Sequence, residues 1–189
     1  CLNGGGAGCE PRAAHPPEPP PSIALSSILI PAHNEASVLG ATLTTLLDGL
    51  EGRIEVLVAC NGCRDATAEV ARGFGDRVRV LELEQASKTA ALNAATSVAG
   101  DGAHLVLDAD IQFAGVDAMR LIEALEAEGA LAIEPVPRMN LDRSSCGVRG
   151  YYTVWLALHG DKPGKIGGGV LGLSAAARAR LGTFPDIIA

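Results

Sequence analysis

Residues 103–110 read Ala-His-Leu-Val-Leu-Asp-Ala-Asp, an apolar run that ends in two carboxylates separated by one residue. A short run without polar alternation is typical of a strand that is buried on both faces of a parallel sheet. The segment therefore predicts a central strand whose carboxyl end presents Asp108 and Asp110.

Shorter apolar runs lie on both sides of this segment, and helical patterns separate them. The other predicted strands cover residues 27–31, 54–59, 78–83, 130–136 and 170–173. Apolar residues recur at every third or fourth position in most of the predicted helices, which cover residues 38–50, 66–74, 88–98, 116–125, 151–158 and 175–182. Asp65 and Ser87 stand where helix N-caps belong. This alternation predicts an α/β domain with a Rossmann-like, mostly parallel sheet flanked by helices.

The beginning of the chain differs in composition from the rest. Residues 1–22 are rich in glycine and proline and hold almost no large apolar side chain, so we expect a disordered leader there. The remaining residues, 23–189, form the predicted domain. Because 48% of the 189 residues are apolar, the chain is large enough to bury one core.

Charge argues against a nucleic-acid partner, and hydropathy argues against a membrane-spanning segment. Fifteen Lys and Arg against 22 Asp and Glu give a net charge of -7 without any basic block, so nothing would neutralise a run of nucleic-acid phosphates. No stretch reaches the roughly 18 consecutive apolar residues of a membrane span, and residues 1–22 lack the pattern of a signal peptide. We therefore expect a cytoplasmic protein without a transmembrane segment in this chain. The five cysteines are odd in number and are expected to be reduced.

Polar clusters stand at the predicted carboxyl ends of strands or open the helices behind them. They are His33-Asn-Glu35, Asn61-Gly-Cys-Arg-Asp65, Ser87-Lys88 and Asp108-Ala-Asp110. In open parallel sheets, ligands bind in the crevice outside these strand ends. Two carboxylates separated by one residue can share a hard divalent cation, and the cation can bridge a diphosphate. The alternative for this pair is a solvated strand end.

Four motifs carry a family resemblance. Pro31-Ala-His-Asn-Glu35, Asn61-Gly-Cys-Arg-Asp-Ala-Thr67, Lys88-Thr-Ala-Ala-Leu-Asn93 and Asp108-Ala-Asp110 resemble, in order and spacing, the motifs of family 2 glycosyltransferases of the GT-A fold. The resemblance implies a GT-A-like domain that transfers a sugar, with inversion, from a UDP- or GDP-linked nucleoside-diphosphate sugar to an unidentified acceptor. It also implies Mg²⁺ or Mn²⁺ as the cofactor.

The same resemblance implies roles for individual residues. Asn61 would face the base, Lys88 would lie near the base or the diphosphate, and Asp108 would lie near the ribose or the sugar. Asp110 would bind the metal. The nucleoside pocket would be lined by Pro31, Ala32, His33 and Glu35.

The second motif departs from the family pattern. The family carries Asp-Asp-Gly-Ser where this chain has Cys60-Asn-Gly-Cys63, so the turn glycine is kept and both carboxylates are replaced. An Asn side chain can both donate to and accept from a base edge, which an Asp carboxylate cannot do. The base preference is therefore open at this point.

The catalytic base is not assigned to any residue of the sequence. Gly167-Gly-Gly-Val-Leu-Gly-Leu-Ser174 is similar to the glycine-rich turn that precedes the acidic pair of the family, and that pair is expected after Ala189. Asp186 stands before the position of the pair. We therefore expect a domain that is incomplete at its C-terminus. Two alternatives stay open, a truncated module that binds a sugar nucleotide without turnover and a nucleotidyltransferase.

The remaining candidates each have a structural interpretation. Cys60 and Cys63 form a CxxC pair, typical of a redox or zinc site, but small residues also fill tight turns. His33 is either a pocket residue or a local hydrogen-bonding residue. His104 is expected to be structural, and Cys146 to be a buried or loop thiol. The aromatic segment could stack on a sugar ring, but its helical spacing predicts a packing face formed by Tyr151, Val154, Trp155 and Leu158.

Overall fold

A six-stranded sheet forms the centre of the molecule. The computed structural model describes residues 25–51, 54–127, 129–135, 144–159 and 169–185. Its strands are β1 (Ser26–Ala32), β2 (Ile54–Asn61), β3 (Arg79–Leu83), β4 (His104–Leu107), β5 (Ala132–Ile133) and β6 (Val170–Leu173). Their order is β3-β2-β1-β4-β6-β5, in which the first four are parallel and β6 runs antiparallel to both of its neighbours. The predicted α/β fold with a mostly parallel sheet is confirmed.

Helices cover both faces of this sheet. They are α1 (Leu39–Leu47), α2 (Thr67–Arg72), α3 (Lys88–Val98), α4 (Gly115–Ala127), α5 (Cys146–His159) and α6 (Ala175–Leu181). Successive residues of β1 point to opposite faces, so Ile28 and Ile30 join one core cluster and Leu29 joins another. Helix α3 packs against β1 and β2. Both faces of the central strands are therefore buried.

Of the two predicted helix caps, Ser87 is found at its predicted position and Asp65 is displaced by one residue. The Ser87 hydroxyl accepts the Ala90 N–H at 3.2 Å and caps α3, as predicted. The N-cap position of α2 is Ala66, one residue after the predicted Asp65, but the Asp65 carboxylate does accept an N–H of this helix, as predicted. It accepts the N–H of Thr67, the first residue of α2, and the N–H of Ala36, each at 3.1 Å, and so joins the start of α2 to the loop after β1.

The second half of the chain departs most from the predicted elements. In the described part of the strand expected over 130–136, which ends at residue 135, only Ala132–Ile133 forms a strand, and the helix expected over 151–158 already begins at Cys146. Cys146 was predicted to be a buried or loop thiol, but it is the first residue of α5 and is exposed. The prediction that Tyr151 and Val154 belong to a packing face is wrong, because their exposed fractions are 63% and 60%. The leader and Asp186 lie outside the described residues, as do Gly167 and Gly168 of the glycine run.

His104 is buried in β4 and keeps a neutral ring. Its Nε2 donates to the Gly100 carbonyl oxygen at 2.9 Å. Burial lowers the pKa of His104 from 6.5 to about 4, because the protonated ring would lose its hydration, and the nearby Arg178 cation opposes protonation as well. The placement agrees with the structural role expected for this residue.

The buried His104 is expected to make the fold sensitive to acid. The unfolded chain takes up a proton near pH 6.5, whereas the folded protein does so only near pH 4. The contribution to the free energy of unfolding is therefore complete above pH 6.5 and is lost as the pH falls towards 4, by about 3 kcal/mol in total. Urea denaturation at several pH values should show a steeper loss for the parent than for His104→Gln. Parallel losses in the two proteins would contradict this assignment.

Candidate functional site

A cavity of about 490 Å³ lies at the carboxyl ends of β1, β2 and β4. Seven of the eight residues predicted for the site line it, together with two alanines that the sequence analysis missed, Ala86 and Ala109. The predicted residues that line it are Pro31, His33, Glu35, Asn61, Lys88, Asp108 and Asp110. The exception is Ala32, which is buried at the end of β1.

The His33 ring joins the loops that follow β1 and β2. Its Nδ1 lies 2.6 Å from the Asn61 carbonyl oxygen, which can only accept, so Nδ1 carries the proton. Nε2 is then free to accept from the Asn34 side-chain amide, which lies 3.1 Å away. Asn34 adopts a left-handed backbone, with φ 56°, and its Oδ1 accepts the Arg64 N–H at 2.8 Å. Both ring nitrogens are therefore engaged, which favours the local hydrogen-bonding interpretation of His33.

Ala32 contributes to the site through its carbonyl oxygen. This oxygen accepts from the Asn61 side-chain amide at 2.9 Å and from the Cys63 thiol at 3.4 Å. In the same loop after β1, the Glu35 N–H donates at 2.9 Å to the hydroxyl of Thr67, the first residue of α2. These bonds hold the first two loops of the cavity together and fix the orientation of the Asn61 amide.

Gly62 brings the second and third loops into contact. Its φ is +59°, in the left-handed region that favours glycine, and a Cβ at this position would lie 2.8 Å from the Ala86 backbone nitrogen and Cβ. The Gly62 N–H also donates to the Leu83 carbonyl oxygen at 2.7 Å. A side chain at this turn would displace Ala86, and with it the loop that leads into α3.

An ion pair joins the third loop to the end of β4. Lys88 Nζ lies 2.5 Å from Asp108 Oδ1, and the two side chains are 58% and 33% exposed. Lys88 is the first residue of α3, and the Asp108 N–H donates to the Gly169 carbonyl oxygen at 2.8 Å. A Cβ on Gly169 would lie 2.9 Å from the Ile111 side chain and 3.4 Å from Asp108 Oδ2. Gly169, the described member of the glycine run, therefore packs against Asp108 and Ile111.

Asp110 is the exposed carboxylate of this pair. Ala109 is buried between the two acids and its carbonyl oxygen accepts the Thr42 hydroxyl at 2.8 Å, which fixes the turn that presents Asp110. Among the described residues, Asp110 takes part in no ion pair, so its charge is not balanced as that of Asp108 is.

The carboxylates of Asp108 and Asp110 suit a hard divalent cation whose remaining ligands come from a bound phosphate and water. Within the described ranges, no group of three or more His, Cys, Asp or Glu side chains could hold a metal. Mg²⁺ commonly binds proteins through one or two carboxylates and completes its shell with water and phosphate oxygens. Asp110, with Asp108 beside it, offers the oxygen ligands that such a site requires.

Comparisons with known proteins agree with this architecture. The family model described as Glycosyl transferase family 2 matches residues 27–157. A search of curated proteins finds no match. No helix in the described part of the chain has the length and apolarity of a membrane span.

Solved structures with the same fold include a mannosyltransferase and a glucosyl-3-phosphoglycerate synthase. The mannosyltransferase PcManGT from Pyrobaculum calidifontis, in complex with GDP-Man and Mn²⁺, has a TM-score of 0.66 and 21% identity over 87% of this chain and 48% of its own. Glucosyl-3-phosphoglycerate synthase from Mycobacterium tuberculosis, with Mn²⁺, UDP and glucosyl-3-phosphoglycerate, has a TM-score of 0.57 and 21% identity over 81% and 57%. Residues 1–349 of TarS from S. aureus give 0.61 and 14% over 85% and 50%. At these identities the likeness shows the fold alone, and the chain spans about half the length of these relatives.

Proposed function

Because the chain belongs to glycosyl transferase family 2, we propose that it is an inverting, metal-dependent glycosyltransferase that uses a UDP- or GDP-linked sugar. The observation that supports this proposal is the convergence of the four motifs on one cavity, where Asn61, Lys88 and Asp110 face a common space. We assign no described residue as the general base. The acceptor stays unidentified.

The charges of the cavity favour a nucleotide that arrives with a divalent cation. Among the described residues, three acids line the cavity, Glu35, Asp108 and Asp110, and Lys88 is the one cation, so an unaccompanied diphosphate would meet excess negative charge. When it is bound, Mg²⁺ or Mn²⁺ supplies charge stabilisation to the departing nucleoside diphosphate. We assign the cation to Asp110, with the diphosphate completing its ligands.

The other residues bind and orient the donor in this proposal. Asn61 presents an amide whose orientation is fixed by its hydrogen bond to Ala32, so it offers a preorganised polar group to the base. Lys88 lines the cavity with a partly exposed side chain, so its ammonium group can bind a phosphate oxygen. The ion pair with Lys88 orients Asp108, which can accept from a hydroxyl of the ribose or the sugar.

Calorimetric titration tests the proposal. The chain is titrated with UDP and with GDP, each in Mn²⁺ and in EDTA, and then with the matching sugar nucleotides. We expect one of the two diphosphates to bind only when the metal is present. Failure of both to bind in Mn²⁺ would contradict the proposal. Donor binding without release of nucleoside diphosphate across an acceptor panel would support the non-catalytic module instead.

Lys88→Ala is expected to weaken nucleoside-diphosphate binding by about tenfold, since one charged contact to a phosphate is lost. The corresponding nucleoside, which has no phosphate, should bind the variant and the parent with similar affinity. Arg180→Ala is the control, because it removes the same charge from an exposed position on α6. Equal diphosphate affinity of Lys88→Ala and the parent would remove Lys88 from the site.

A further inference from the structure

The ammonium group of Lys88 covers one of the two carboxylates that follow β4. Its Nζ lies 2.5 Å from Asp108 Oδ1, whereas Asp110 takes part in no ion pair among the described residues. The other oxygen of this carboxylate, Asp108 Oδ2, lies beside the turn at Gly169, where an added Cβ would be 3.4 Å from it. Lys88 and the Gly169 turn therefore flank the Asp108 carboxylate, while the Asp110 carboxylate is open to a cation.

The Lys88 side chain can leave Asp108 without movement of the backbone. Lys88 is the first residue of α3, and the Ser87 hydroxyl caps this helix by accepting the Ala90 N–H at 3.2 Å, so the Lys88 backbone is held in place. The Lys88 side chain is 58% exposed, and it carries its charge on a flexible four-carbon stem. Ion pairs with this much exposure contribute little to stability, so a stronger anion can take over the ammonium group.

We propose that the ion pair between Lys88 and Asp108 withholds Asp108 from a divalent cation until a diphosphate is bound. This inference rests on the proposed function and concerns the order in which the metal and the nucleotide bind. A diphosphate carries more negative charge than one carboxylate, so it draws the ammonium group from Asp108 to a phosphate oxygen. Asp108 then adds its charge to that of Asp110, and the affinity of the site for the cation rises.

The charges around the cavity favour the same order. Among the described lining residues, Glu35, Asp108 and Asp110 are acids, and Lys88 is the one cation. While Lys88 neutralises Asp108, a cation that arrives alone is attracted by one fewer carboxylate. A diphosphate that arrives alone is attracted by Lys88 and repelled by the acids. Each of the two therefore binds weakly by itself, and each raises the affinity for the other.

Binding of Mn²⁺ without any nucleotide tests the ion pair directly. The electron paramagnetic resonance signal of free Mn²⁺ measures its affinity for the chain, so the measurement requires no activity. We expect Lys88→Ala to bind Mn²⁺ about fivefold more tightly than the parent, which is the most that a partly exposed ion pair withholds. Lys88→Arg keeps the charge beside Asp108 and should match the parent. Arg180→Ala on α6 is the control for the loss of one positive charge and should also match it.

A double-mutant cycle with Asp108→Asn separates the ion pair from the general charge of Lys88. If the ammonium group acts by holding the Asp108 carboxylate, Lys88→Ala should gain less than about twofold in Mn²⁺ affinity when Asp108 is already Asn. General repulsion between Lys88 and Mn²⁺ would give the same gain in both backgrounds. Equal gains, or no gain in Lys88→Ala itself, would overturn the proposal.

Titration of Mn²⁺ in the presence of UDP or GDP tests the exchange. The nucleotide that binds should raise the Mn²⁺ affinity of the parent about fivefold more than that of Lys88→Ala, in which Asp108 is already released. The same increase in both proteins would overturn the exchange. If neither nucleotide binds, the proposed function fails, whereas the titration with Mn²⁺ alone still decides whether Lys88 withholds Asp108.

Discussion

Replacing Asp110 with alanine is expected to abolish metal-dependent binding of the nucleoside diphosphate, with a loss of about a hundredfold or more in the presence of Mn²⁺. The reason lies in the two neighbouring carboxylates. Asp108 is balanced by the ammonium group of Lys88, whereas Asp110 is exposed and is not balanced by any described cation. Asp110 is therefore the carboxylate that can give its full charge to a divalent metal.

Calorimetry in Mn²⁺ and in EDTA measures this loss. Asp76→Ala is a suitable control, because Asp76 is an exposed acid in the short 3₁₀ turn before β3. It changes the net charge equally at a site away from the cavity, so its affinity should match that of the parent. Unchanged Mn²⁺-dependent affinity in Asp110→Ala would remove Asp110 as the metal ligand.

Gly62→Ala is expected to lower the free energy of unfolding by about 3 kcal/mol, which combines two separate costs. A left-handed backbone costs a non-glycine residue about 1–2 kcal/mol. The added Cβ would also lie 2.8 Å from the Ala86 backbone, and overpacking of this kind costs about 1–3 kcal/mol. Because Ala86 lines the cavity, nucleotide affinity should fall as well.

Gly49→Ala separates these two costs. Gly49 has a similar left-handed backbone, with φ +72°, but an added Cβ would meet nothing within 4 Å. Urea denaturation should therefore show a loss of about 1 kcal/mol for this variant, and its nucleotide affinity should not change. If the two variants lost equal stability, the contact between Gly62 and Ala86 would not constrain the loop.

The parallel half of the fold was predictable from local patterns. The apolar run before Asp108 identifies a strand that is buried on both faces, and the structure places β4 between β1 and β6. Ser87 could be placed as a helix cap from the sequence, and its hydroxyl accepts the Ala90 N–H in the first turn of α3. That the four motifs meet at one cavity could be predicted for a related reason, since parallel strands end at one edge of the sheet and bring distant motifs together.

The rest depends on contacts that no local pattern reveals. The position of β6 between β4 and β5, antiparallel to both, follows from packing of segments far apart in sequence. Tyr151 and Val154 have the spacing of a packing face, but periodicity alone does not show whether a second surface covers it. Ala86 has no polar side chain to mark it in the sequence, and it lines the cavity in close contact with the Gly62 turn.

The central claim is that this cavity holds a divalent metal and a nucleoside diphosphate together, with Asp110 as a ligand of the metal. Anomalous diffraction at the manganese absorption edge tests it most directly, on crystals grown with Mn²⁺ and the diphosphate that binds in calorimetry. We expect an anomalous peak beside the Asp110 carboxylate, in contact with the diphosphate. A peak only elsewhere, or a nucleotide bound in the cavity without manganese, would contradict the account.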